Sequence, residues 1–209
     1  MIQEQKSERL SRILSDLERE GWCHLPGFLD QAETAVLASQ AMASWQDGAF
    51  EQAAVGHGAA RQLRPEIRSD YIHWVDPAAA TGALGDYLNF LEELRLGANQ
   101  SFFLGLFDYE GHFALYPAGS FYAAHLDNFR NQSRRMLTCL LYLNHDWVPE
   151  HGGVLRLYTQ WEPEAERAFV DIEPRGGTLV VFAAERFYHE VLPAHSERLS
   201  LTGWLCRRD

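Results

Sequence analysis

The sequence predicts an α+β domain in which N-terminal helices support a double-stranded β-helix (jelly-roll) core. Two observations carry that prediction. Apolar residues recur at helical spacing through the first half. From Gly111 onward, short β-type runs follow one another, separated by Pro, Gly, Asn and Asp. A chain of 209 residues that is 46% hydrophobic and 12% aromatic can bury one core, so residues 1–209 are expected to form one domain. Within it, 1–110 would be helical support with a long loop near 52–76, and 111–206 the jelly-roll.

The first helix is read over residues 8–20, where Leu10, Ile13, Leu14 and Leu17 share a face and Gly21 supplies the stop. The second opens at Asp30, with Glu33 three residues on as its reciprocal capping partner. The third is "TGALGDYLNFLEELRLG", with Leu84, Tyr87, Leu88, Leu91 and Leu94 on one side and Gly97 as its expected end. Between the second and third lies a Gly-, Ala- and Arg-rich stretch that turns into a strand-like "IRSDYIHWV" after Pro65. A connection of that length is either a surface loop or a binding loop. Eight strand-like runs then follow in order: "HFALYP", "SFYAAHLD", "MLTCLLYLN", "GVLRLY", "AFVDIEP", "TLVVF", "YHEVLP" and "LSLTGWLC".

Composition narrows the function. A net charge of −11 argues against a nucleic-acid partner, which requires clustered Lys and Arg. Cys23, Cys139 and Cys206 are far apart with no metal-type spacing, as expected of buried thiols in a reducing compartment. The start is polar and charged, and no apolar run approaches a membrane span, so a cytoplasmic protein with no membrane partner is expected.

The chemistry concentrates in "SFYAAHLDN". On a strand, residues i and i+2 face the same way, so His125 and Asp127 would present an imidazole and a carboxylate together. The best candidate for a third ligand is His189 in "FYHEVLPA". Two His and one carboxylate on one face leave the other side of an octahedral ion open, which suits non-haem Fe(II). An H-x-D pair is expected by chance in about half of such chains, so alone it is weak. His195 and Glu197 also fit H-x-[DE], but they follow Pro193 in what reads as a surface turn. His24, His57, His73, His112, His145 and His151 lack a carboxylate at the matching offset and read as structural or solvated. Arg198 strengthens the case. It begins the strand nine residues past His189, where a hairpin would bring it beside the histidine. A guanidinium there could grip a carboxylate through two parallel hydrogen bonds. The plainer reading pairs Arg198 with Glu197 or Glu190.

The order of these motifs resembles the Fe(II)/2-oxoglutarate-dependent dioxygenases. More narrowly it is similar to the prolyl 4-hydroxylases, and most of all to the branch that modifies hypoxia-inducible factor. "IRSDYIHWV", "ALYPAGSFYAAHLDN", "TCLLYLNHDW", "HGGVLRLY", "VDIEPRGGTLVVF" and "YHEVLPAHSERLSLTGW" carry the likeness over roughly residues 66 to 206. The resemblance implies His125, Asp127 and His189 as ligands of Fe(II). It implies 2-oxoglutarate and O₂ as co-substrates, ascorbate as a support, and hydroxylation of a proline in a protein target. Arg198 and Tyr142 would bind the distal carboxylate of 2-oxoglutarate, and Tyr116 would lie near its chelating end. Trp204 would wall the site of the target proline. Tyr122 and one of Arg134 and Arg135 would face the peptide, and Arg68 and Asp70 would ride a mobile substrate loop. As plain residues, Tyr142 and Trp204 read as core, Tyr116 as strand-end packing, Tyr122, Arg134 and Arg135 as ordinary surface, and Arg68 with Asp70 as a local charge pair. Among bacterial relatives of this branch, elongation factor Tu is the target implied. The polar "NFRNQSRR" after Asp127 departs from the animal oxygen sensors. The alternatives are an oxygenase of the same scaffold acting on a small molecule or another residue type, and a metal-binding jelly-roll that senses without turnover.

Overall fold

The computed structural model describes residues 2–56, 62–127, 134–161 and 168–208, with residues 2–5 described by backbone alone. Three helices lead in: α1 (Ile2–Glu20), α2 (Gln31–Gln46) and α3 (Gly82–Phe102). The Asp30–Glu33 capping box forms as read. The Asp30 carboxylate accepts from the Glu33 amide at 2.8 Å, and the Glu33 carboxylate accepts from the Asp30 amide at 2.9 Å. Two readings of the helices need correction. The first helix starts earlier than residue 8. The third does not stop at Gly97 but runs to Phe102 and ends in left-handed backbone at Phe103. Gly97 is a packing residue: a Cβ there would meet Leu14 Cδ1 at 3.0 Å, so its bare surface lets α1 lie close on α3.

Among the described residues, eleven strands form two antiparallel sheets. They are β1 (Trp22–Leu25), β2 (Glu51–Gln52), β3 (Tyr71–Trp74), β4 (Leu106–Tyr116), β5 (Tyr122–His125), β6 (Arg135–Tyr142), β7 (Leu155–Tyr158), β8 (Phe169–Ile172), β9 (Leu179–Ala183), β10 (His189–Val191) and β11 (Arg198–Arg207). The major sheet has the order β1-β9-β6-β11-β4-β3-β2, and the minor sheet β5-β10-β7-β8. All eight runs read as strands are strands, and "IRSDYIHWV" supplies β3. The major sheet also recruits β1 from the helical half, and β4 begins at Leu106, ahead of the expected boundary at 111.

Period-2 alternation divides the major sheet cleanly. Leu137, Cys139 and Leu141 of β6, with Leu199, Leu201 and Leu205 of β11, pack against the helices in one buried cluster with Ile13, Leu37, Leu91 and Leu94. The alternate residues look into the sandwich. At one end of that interior, Leu140, Val180 and Phe182 meet Leu155, Leu157 and Ile172 of the minor sheet in a second apolar cluster. At the other end the sandwich stays open, and the site lies there.

Candidate active site

His125 closes β5, pairs with Leu-flanked β10 through His189, and faces it directly: the two residues are register partners across the minor sheet. Asp127 lies just past the end of β5, so the shared-face argument for an H-x-D strand pair is corrected. A bend, not strand alternation, turns its carboxylate inward. The three groups nevertheless converge. His125 Nε2 lies 3.6 Å from Asp127 Oδ1, and His189 Nε2 lies 3.5 Å from Asp127 Oδ2. All three ligand atoms lie within 4.8 Å of one another, a spacing that one ion can bridge.

Each imidazole is oriented by its other nitrogen. His125 Nδ1 donates to the Ala123 carbonyl at 2.8 Å, and His189 Nδ1 to the Phe187 carbonyl at 3.1 Å. A carbonyl can only accept, so the proton sits on Nδ1 and the Nε2 lone pair is left to bind. Burial, helped by His125, pushes His189 down to about 4, so its ring is neutral near pH 7. Burial works to raise the Asp127 carboxyl, but the two imidazoles prevail and hold it well below the usual carboxylate range. Thr138, which sequence reasoning passed over, donates its hydroxyl to Asp127 Oδ2 at 2.7 Å. The signal was available: Thr138 alternates with Leu140 and Tyr142 on the interior face of β6.

Arg198 stands at the far end of the same cavity, which has a volume of about 360 Å³. The expected hairpin with the His189 strand does not exist. β10 belongs to the minor sheet, while β11 crosses to the major sheet between β4 and β6. Arg198 therefore meets the triad across the sandwich, not along a shared edge. Its pairing with Glu197 or Glu190 is absent. Arg198 is 2% exposed, its Nε donates to the Gly153 carbonyl at 2.8 Å, and among the described residues no carboxylate forms an ion pair with it. Gly153 permits this approach, since its φ is +61° and a Cβ there would lie 2.8 Å from Arg198 Cδ. The guanidinium carbon is 4.9 Å from the Tyr116 ring centre and 5.1 Å from that of Tyr142. Among the described residues the buried Tyr142 hydroxyl has no partner in hydrogen-bonding geometry, and the nearest charge acting on it is the Arg198 guanidinium. Burial pushes this phenol up to about 12, so it remains a donor. A buried cation without a counter-ion, beside an orphaned hydroxyl, is costly unless an anion occupies the space.

The remaining expected residues divide. Tyr122 stacks on His125 with ring centres 3.6 Å apart and lines the cavity. Trp204 lines it as well, and the Arg135 guanidinium lies 3.4 Å from its ring centre while Arg135 Nε donates to Glu110 at 2.6 Å. Of the two candidate arginines, Arg135 reaches the cavity wall, whereas Arg134 bonds Asp108 at 3.0 Å away from it. Arg68 grips Asp70 with both forks, at 2.8 and 2.5 Å, and Asp70 is fully buried. Arg68 lines the cavity, whereas Asp70 is paired to Arg68 and is not among the residues that line it. The segment that carries the pair is hydrogen-bonded to the β5 region, the Ser69 amide to the Phe121 carbonyl and the Ala123 amide to the Ile67 carbonyl. Ala54, Val55 and Gly56 do border the cavity. Residues 57–61 of that loop, and 128–133 of "NFRNQSRR", lie outside the described residues. His195 and Glu197 are exposed, as the turn reading expected.

Residues 111–206 match the model of the 2OG-Fe(II) oxygenase superfamily. A Pseudomonas putida prolyl-4-hydroxylase structure shares 42% identity and a TM-score of 0.82, with coverage of 96% of this chain and 100% of that one. The chain belongs to the prolyl 4-hydroxylase family of 2OG-Fe(II) oxygenases. A Trichoplax adhaerens prolyl hydroxylase, solved with a hypoxia-inducible-factor peptide, shares 26% identity and a TM-score of 0.83 over 97% of this chain and 91% of that one. Human Egl nine homolog 1 is 30% identical over 93% of this chain but only 46% of its own length, so the chain spans about half of that relative. The double-stranded β-helix of these oxygenases is the fold of this member too. The family's metal and co-substrates are Fe(II), 2-oxoglutarate and O₂. The donor set fits them: two oriented imidazoles and one carboxylate for a ferrous ion, and an unpaired guanidinium with an orphaned hydroxyl for a carboxylate.

Proposed function

We propose that this family member is a protein prolyl 4-hydroxylase that couples oxidative decarboxylation of 2-oxoglutarate to hydroxylation of a prolyl residue. The observation that carries the reading is the pairing, across one cavity, of the His125–Asp127–His189 triad with the buried, unpaired Arg198. That pairing favours an oxygenase over a metal-binding sensor, which has no need of an anion-binding subsite.

His125, Asp127 and His189 would hold the iron, with Thr138 and the Ala123 and Phe187 carbonyls setting their orientation. When bound, Fe(II) supplies the activation of O₂ that a C–H bond of proline requires. Arg198 and Tyr142 would fix the distal carboxylate of 2-oxoglutarate, the first by charge and the second by a neutral hydroxyl donor. Tyr116, on the partner strand of Arg198, would wall the co-substrate on its β4 side. Trp204 and Tyr122 give the prolyl ring two aromatic faces, and Arg135 stiffens Trp204 by lying on it. Arg68 braces Tyr122 in the same way, its guanidinium carbon 4.3 Å from that ring centre. These roles need no protein nucleophile; the chain's task is to orient the C–H bond and exclude water.

The target is proposed as a protein segment, with elongation factor Tu as the first to test on the strength of the resemblance to bacterial relatives. The described residues contain no helix long and apolar enough to cross a membrane. Three free, buried thiols agree with a cytoplasmic setting. The experiment is turnover with Fe(II), 2-oxoglutarate, ascorbate and O₂, followed by mass spectrometry of the proteome with and without the protein. Succinate release matched by one added oxygen on prolyl peptides supports the reading. Oxygen added only to small molecules or other residue types overturns it.

A further inference from the structure

His112 is a buried polar residue that the proposed mechanism leaves unused. It lies on β4 at 3% exposure and lines the cavity, and among the described residues neither ring nitrogen has a hydrogen-bond partner. Nδ1 is fully buried. The ring sits between two tryptophans, edge-on to Trp74 with centres 4.9 Å apart and tilted against Trp204 with centres 5.5 Å apart. Trp74 is 44% exposed, so this wall runs from the deep site to the cavity mouth. An apolar residue would satisfy such a position at lower cost, because a desolvated imidazole with no partner is penalised. The charged groups that act on it are Arg68 and Arg135, which disfavour a second cation, and Asp127, which opposes them more weakly.

Resting on the prolyl hydroxylase reading, we propose that His112 is a specificity-determining residue whose Nε2–H donates a hydrogen bond to a backbone carbonyl of the bound substrate peptide. Three observations lead there. First, a neutral imidazole must place its single proton on one nitrogen. Leaving the buried Nδ1 as a bare lone pair strands an acceptor rather than a donor and puts the proton on the nitrogen that opens to the cavity. Second, a prolyl residue has no N–H, so its backbone offers only acceptors, and a site that recognises it must offer donors. The two arginines on this side of the cavity are engaged. Arg68 is paired to Asp70, and Arg135 to Glu110. Third, His112 stands four residues along β4 from Tyr116, whose register partner is Arg198. At about 3.4 Å per residue this is roughly 14 Å away from the proposed co-substrate anchor, on the side of Trp204 and Trp74.

The test uses His112→Leu, His112→Gln and His112→Asn in the full chain. The probe is a library of acetylated, amidated nonapeptides with a fixed central proline, from which the best-turned-over member is taken. Gln can place an N–H near the position of Nε2, Asn near that of Nδ1, and Leu offers neither. The expected result is a peptide KM raised about tenfold for Leu and Asn and largely restored by Gln, with kcat and the 2-oxoglutarate KM unchanged. The peptide dissociation constant, measured by calorimetry with Zn(II) and 2-oxoglutarate so that no turnover occurs, should follow the same pattern. Imidazole ¹⁵N spectra of the wild type should show the Nε2–H tautomer, with that nitrogen shifting on peptide addition. An unchanged KM in all three variants overturns the proposal, as does a loss confined to 2-oxoglutarate binding or a Gln variant no better than Leu. A wild-type protein that hydroxylates no library member overturns the parent reading and this one together, which sets that failure apart.

Discussion

The two faces of the major sheet share every strand and almost nothing else. On the helix side of β6, Cys139 and Leu141 are fully buried in an apolar cluster that α1, α2 and α3 seal. On the cavity side, one residue away, Thr138 holds Asp127 and Tyr142 carries an orphaned hydroxyl. β11 repeats the division: Leu199, Leu201 and Leu205 face the helices, while Arg198, Thr202 and Trp204 face the cavity. The helix face supplies stability through burial. Unpaired buried polar atoms occur on both sides, at the Tyr87 and Tyr109 hydroxyls among the helices and at His112, Tyr142 and Trp204 around the cavity, but only those of the cavity face border a space in which a ligand can return their cost. Substitutions on the two faces should therefore separate folding from chemistry.

The largest effect is expected on the cavity side. His189→Ala should reduce iron-dependent 2-oxoglutarate turnover by roughly a thousandfold or more, and circular dichroism should show the sheet intact. Turnover near the wild-type level would remove His189 from the ligand set. Leu141→Ala reverses the pattern. It should cost about 2–5 kcal/mol in urea unfolding while the 2-oxoglutarate KM of the folded fraction stays put. Arg198→Met should raise the 2-oxoglutarate requirement about a hundredfold, with little change in the melting temperature of the metal-free protein. A large loss of stability would mean that its bond to Gly153, not an absent anion, accounts for its burial. Tyr142→Phe, the neighbour of Leu141, should raise the same KM about tenfold and leave stability within about 0.5 kcal/mol, because an unpaired hydroxyl is all that is removed.

Acid sharpens the contrast further. His189 is held near 4 in the fold against about 6.5 unfolded. Between those values the unfolded chain binds a proton that the native state does not, so stability falls as pH drops from about 6.5 to about 4. Burial displaces His112 in the same direction, and its contribution has the same sign. Urea midpoints of the metal-free protein at pH 7, 5.5 and 4.5 should decline in that order, and a His189→Phe variant should decline less.

Much of this division was legible in the sequence because alternation is a local signal. The strand runs were read correctly, and His125, Asp127, His189 and Arg198 converge on one cavity. What sequence could not supply was the partner of each strand. Arg198 reads naturally as the return arm of a hairpin with His189. Only the crossing between sheets, a long-range pairing, shows that the two face each other through the interior. Gly97 was misread for a related reason: glycine ends helices often, but here it makes room for Leu14, and no local pattern reveals a neighbour. Thr138 and His112 carried a usable signal, since each shares a strand face with a residue already singled out. Asp70 matches the plainer of its two readings, a local charge pair.

The strand that presents Arg198 is paired along both edges, with β4 on one side and β6 on the other. A side chain mounted on so rigid a rail cannot move forward or back to suit what enters. If Arg198 anchors the co-substrate as proposed, the span from guanidinium to triad would work as a fixed gauge of molecular length. A dicarboxylate one carbon shorter or longer than 2-oxoglutarate would reach one end only by letting go of the other.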